Sequence, residues 1–89
     1  MTNQQPSLLE FPCDFPIKAF GHNSDDLDQI IVSIVRRHAP DLCENAVVVR
    51  ASNGKRYAAI TVTIRARSQA QLDAIYTDLT ASDAVIMSL

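Results

Sequence analysis

Cys13, His38 and Cys43 are the residues whose types best suit a metal, because thiolate and imidazole are ligands that zinc prefers. Their spacing contains no CxxC or HxxxH pair, and no fourth ligand accompanies them. The plainer reading is two free thiols and a histidine at a helix C-terminus. A disulfide between the cysteines is open on geometry and disfavoured in a reducing compartment. A second candidate is Gly21-His22-Asn23-Ser24, a turn leading into a helix, since backbone N–H groups there can hold an anion or a carboxylate. Lys18 lies just upstream. Asp25, Asp26 and Asp28 follow and repel an anion, and the same residues equally describe a turning glycine and a capping asparagine. The aspartates lack the apolar pocket that would make two of them an acid–base pair. No serine has a histidine placed by motif to activate it, and two glycines in the whole chain exclude a glycine-rich phosphate loop. The expectation is a non-catalytic protein with no metal and no cofactor; the alternative is a small enzyme, for which His22 and His38 are the candidate titratable groups.

Such residues need a scaffold, and 89 residues allow one domain with one modest core. Folding a chain this short removes about 60–65% of its unfolded surface from water. Hydrophobic residues at 47% and charged residues at 20% make an ordinary globular balance. The polar start, 1–7, has nothing to bury and reads as a disordered tail before a single domain over 8–89. A net charge of −2 lacks the basic excess of a duplex-binding protein, so nucleic acid is not favoured as a partner. No stretch approaches the roughly 20 apolar residues that span a bilayer. No basic segment followed by an apolar run opens the chain, so the expected location is the cytoplasm, away from membranes.

Leu8-Leu9-Glu10-Phe11-Pro12 is an apolar arm in need of cover. Residues 15–21 read as a strand with Phe15, Ile17 and Ala19 on one face, ended by Gly21. Asn23 or Ser24 then caps a helix whose stripe is Leu27, Ile30, Ile31, Ile34 and Val35, stopped by Pro40. Residues 45–51 and 56–66 read as two strands joined at Asn53-Gly54, the signature of a two-residue type I′ hairpin. That loop pairs Ala51 with Arg56, Val49 with Ala58 and Val47 with Ile60. Ser68 and Gln71 form a capping box before the stripe Leu72, Ile75, Tyr76 and Leu79. Residues 84–89 make a final short strand.

The order β-α-β-β-α-β, with right-handed crossovers, has one common solution. It is an α+β, ferredoxin-like split β-α-β sandwich: a four-stranded antiparallel sheet in order 4-1-3-2 with both helices on one face. Gly21, His22, Asn23, the hairpin tip and the start of the last strand then share one end. Cys13, His38, Cys43, Arg65, Arg67 and the C-terminus share the other. The second sheet face carries Lys18, Phe20, Val48, Tyr57, Ala59, Thr61 and Ile86, too apolar a set to stay wet. The arm, a second copy of the domain, or a small-molecule ligand or protein partner could cover it. RNA-recognition domains of this topology stack bases on central-strand aromatics, and the run from Gly54 to Ile60 faintly echoes their third-strand motif. Ala59 stands where the second aromatic belongs.

The arm Leu8-Leu9-Glu10-Phe11-Pro12, then Phe15, Lys18, Gly21 and Arg37-His38-Ala39-Pro40, resembles the YbeD-like family of small bacterial proteins. Ser52, Gly54 and Tyr57, Tyr76 with Leu79, and the Val85, Met87, Leu89 ending fit the same pattern. The resemblance covers nearly everything after residue 7. It implies a ferredoxin-like fold close to the ACT-type regulatory domains, which bind amino acids at subunit interfaces. It also implies a family without established activity, whose members are often labelled lipoate-linked regulatory proteins. ACT-type sites use the turn between the first strand and first helix, where Gly21 and Asn23 match. Cys13 and Cys43 fall outside the matching motif.

Overall fold

Alternating apolar residues make the first strand of a computed structural model whose described residues are 10–42, 44–51 and 53–89. The tail, Leu8 and Leu9 of the arm, Cys43 and Ser52 lie outside them. Strand β1 (Cys13–His22) turns Ile17, Ala19 and Gly21 into the core and leaves Asp14, Pro16, Lys18 and His22 exposed.

Helix α1 (Leu27–Arg36) buries Leu27, Ile31, Ile34 and Val35. Its N-cap is Asp26, without a side-chain cap hydrogen bond, rather than Asn23 or Ser24. The reason is that β1 runs on to His22, so Asn23 is still tied to the sheet. Its N–H donates to Arg56 O (3.0 Å) and its Nδ2 to Lys55 O (3.0 Å). The Ser24 hydroxyl donates to Asp26 Oδ1 (3.0 Å).

A 3-10 turn, Glu44–Ala46, shortens the second strand to β2 (Val47–Ala51). The hairpin to β3 (Tyr57–Ala66) is longer than the type I′ reading. Ala51 pairs with Ala58, Val49 with Ile60 and Val47 with Val62, a shift of two residues. Residues Asn53–Lys55 form a 3-10 turn, and the left-handed pair is Gly54 (φ 78°) and Lys55 (φ 57°). A shift of two leaves every side chain on its expected face. Val49 nevertheless stays exposed, because β2 is the sheet edge.

Helix α2 (Gln69–Ala81) buries Leu72, Ile75 and Leu79. Ser68 caps it, its hydroxyl accepting from Gln71 N–H (3.1 Å). Gln71 does not close the reciprocal half of a capping box. Its Oε1 accepts from Arg67 N–H (2.7 Å) and its Nε2 donates to His38 O (2.7 Å), joining α2 to the chain leaving α1.

Strand β4 (Val85–Ser88) pairs Ser88 with Ala19, Met87 with Phe20 and Val85 with Gly21, with a bulge between the last two pairs. Leu89 exchanges both backbone hydrogen bonds with Lys18 (3.1 and 2.7 Å). Leu89 therefore stands beside the middle of β1, not at the Cys13 end. The sheet order is β2-β3-β1-β4, antiparallel throughout, the ferredoxin-like arrangement. One core lies between sheet and helices, centred on Ile17, Ile31, Val35, Ile60, Val62, Leu72, Ile75 and Leu79. Phe11, the described apolar side chain of the arm, packs against this core rather than over the open face.

Candidate functional site

The sheet face turned away from the helices is ordered in rows by the registers. Lys18 heads one row, with the Leu89 backbone on one side and Thr61 then Val48 on the other. In the next row Met87, Phe20, Ala59 and Arg50 stand side by side. His22 and Tyr57 form a third, their rings 5.2 Å apart and inclined at 34°. At the other end Asp14 and Arg65 make an exposed ion pair (3.3 Å). On the two central strands alternation explains the set: Lys18, Phe20, Ala59 and Thr61 each have both backbone neighbours in the core, so their own side chains face outward.

Half or more of the surface of Val48, Met87 and Leu89 remains accessible, at 54%, 53% and 60%. Among the described residues no element covers them. Met87 and Leu89 join the face beyond what the sequence indicated, and Ile86 sits exposed in the bulge without a ladder partner. The signal for Met87 was present only as an alternation that the bulge reverses.

The residues around the first turn do not converge on one point. Gly21 faces the helices and is buried, and a Cβ there would run into Ala84 O and the Leu27 side chain. Lys18 and His22 face the opposite way, and Asn23 is bonded to the hairpin. The acidic residues Asp25, Asp26 and Asp28 crowd the start of α1.

At the far end of α1 the His38 ring meets Asp78 of α2, with Nε2 to Oδ2 at 2.7 Å, and Arg37 approaches the same oxygen at 4.0 Å. This pair fastens the two helices together. Among the described residues no group of three His, Cys, Asp or Glu could hold a metal ion, and Cys43, one of the three residues considered above, lies outside them. Two grooves lie on the helix side. A groove of about 730 Å³ runs between α1 and β2, and one of about 420 Å³ separates α1 from α2. Among the described residues no helix is long and apolar enough to cross a membrane.

Fold and face together define a small α+β domain in which, among the described residues, no element covers one side of the sheet. The chain belongs to the family described as "Protein of unknown function (DUF493)", whose profile matches residues 6–89. It is similar over its full length to a UPF0250 protein of Chromobacterium violaceum, 47% identical over 89 residues and covering 100% of both chains. UPF0250 protein NE1487 of Nitrosomonas europaea is 43% identical over 72 residues, 81% of this chain and 83% of its own. UPF0250 protein PA3998 of Pseudomonas aeruginosa is 42% identical over 86 residues, 96% of this chain and 92% of its own.

Proposed function

We propose that this protein is a non-catalytic interaction module that binds a partner protein through the open sheet face. The observation that supports this reading is the row Met87–Phe20, flanked by exposed Leu89 and Val48, on a face that no described element covers. A flat row of side chains suits a macromolecular surface better than a small molecule, which needs concavity. Lys18 and Arg50 stand beside the apolar residues, so the partner would present apolar anchors bordered by carboxylates. On this reading the module works in the cytoplasm.

The test is affinity capture from the source cell with wild-type and Phe20→Asp baits of equal stability. One partner retained by the wild type and lost with Phe20→Asp supports the reading. Equal retention by both overturns it.

A small amphipathic carboxylate of the lipoate or octanoate kind is a second reading, favoured by the Lys18 ammonium one row from Phe20 and Met87. At a hundred times its dissociation constant such a ligand adds about 2.7 kcal/mol, a rise in melting temperature of about 10 °C or more. A thermal-shift panel of lipoate, octanoate, amino acids, nucleotides and a short RNA separates these classes. A flat response leaves the protein partner as the sole reading.

A further inference from the structure

The two edges of the sheet are built differently. Lys18 exchanges both of its backbone hydrogen bonds with Leu89, donating one and accepting the other, so even-numbered residues of β1 direct their backbone groups towards β4. Beyond the reach of β4 the next even residue is Pro16, which has no N–H to offer an incoming strand. β4 itself is four residues long and bulged. Both features discourage strand addition. β2 has neither: it is unbulged, proline-free and opens with Val47, Val48 and Val49. Carrying the alternation across the registers, Val48 and Arg50 bond to β3, while Val47, Val49 and Ala51 direct their N–H and C=O groups outward. Val49 is also 53% exposed.

Above this edge lies α1, and the groove between them is lined by Asp28, Val32, Arg36 and Val47. Asp28, Val32 and Arg36 are spaced i, i+4, i+8, so they form one line along the helix: acidic, apolar, basic. Neither Asp28 nor Arg36 has an ion pair with a described side chain. Reversing this line end for end puts acid on base at both ends and valine on valine in the middle. Such a pattern is complementary to itself under a two-fold rotation, the operation that relates most homodimers.

We infer that a second copy of this chain docks on the β2 edge, with β2 antiparallel to the partner's β2 and α1 antiparallel to the partner's α1. The two-fold axis passes near Val49 and Val32. Val47 then lies opposite the partner's Ala51, and Asp28 opposite the partner's Arg36. The two sheets join into one of eight strands, and the open faces stay free. The inference is independent of what the open face binds.

Sedimentation equilibrium of the full chain tests it. The wild type is expected to dimerise, and Val49→Arg, which sets two like charges on the axis, to raise the dissociation constant about a hundredfold or more. Val49 is exposed, so the variant keeps its fold, which circular dichroism checks. Asp28→Arg alone and Arg36→Asp alone are each expected to weaken the dimer. An equimolar mixture of those two variants is expected to form a heterodimer, since every opposed pair is again acid on base. A wild type that stays monomeric at all concentrations overturns the inference. So does a dimer that survives Val49→Arg and is lost with Phe20→Asp, or a mixture that shows no recovery.

Discussion

Phe20 and Met87 stand directly opposite each other across β1 and β4, on the side of the sheet that neither helix covers. One row towards the bulge, Val85 pairs with Gly21 on the helix side. The bulge thus turns Met87 outward and lets Val85 reach the core. Cross-strand neighbours of this kind contribute about 0.2–1 kcal/mol. A double-mutant cycle with Phe20→Ala and Met87→Ala should return a coupling in that range by urea unfolding. A coupling of zero would place Met87 away from Phe20 in solution.

Gly21 leaves no room for a side chain, because an added Cβ meets the Ala84 carbonyl oxygen, a backbone atom. Gly21→Ala should therefore destabilise the domain by about 1–3 kcal/mol through overpacking. Gly54 has open space around it, and its constraint is the positive φ of 78°. Gly54→Ala should cost less, about 1 kcal/mol, from backbone strain alone. Urea midpoints at unchanged slope distinguish the two.

Ser68→Ala removes the hydrogen bond from Gln71 N–H that caps α2 and should cost about 1 kcal/mol. Gln71→Ala removes both the bond from Arg67 N–H and the donation to His38 O. Hydrogen exchange in Gln71→Ala should therefore accelerate at the end of α1 as well as in α2, whereas Ser68→Ala affects α2 alone.

The Tyr76 hydroxyl donates to Leu89 O at 2.7 Å, and Tyr76→Phe should cost about 0.5–1.5 kcal/mol at neutral pH. Burial pushes the Tyr76 phenol above its ordinary value of 10.0, because the charged form is poorly solvated in the fold. The unfolded chain loses this proton first as pH rises. The stability that the neutral phenol supports is therefore fully present below the unfolded value and is lost as pH climbs through the raised one. Wild-type stability should fall more steeply in strong alkali than that of Tyr76→Phe, with Tyr57 common to both proteins.

Much of this architecture is written locally. The alternation from Ala58 to Ile64 and the stripe from Leu27 to Val35 state which face of each element is buried, because side-chain period follows directly from backbone geometry. The order of elements, with the handedness of crossovers, then leads to the sheet order and an uncovered face. Registers and side-chain destinations were not written there. Whether the hairpin turns on Asn53-Gly54 or on Gly54-Lys55 depends on how Val47 and Val49 pack against Val62 and Ile60, contacts distant in sequence. The bulge that brings Met87 rather than Ile86 opposite Phe20 is a negotiation between two strands at opposite ends of the chain. Asn23 and Gln71 likewise have local caps available, yet tertiary proximity directs them to Lys55 and His38. Period is a property of one segment and is legible in it, whereas register and partner choice are properties of pairs of segments and exist only once the chain has folded.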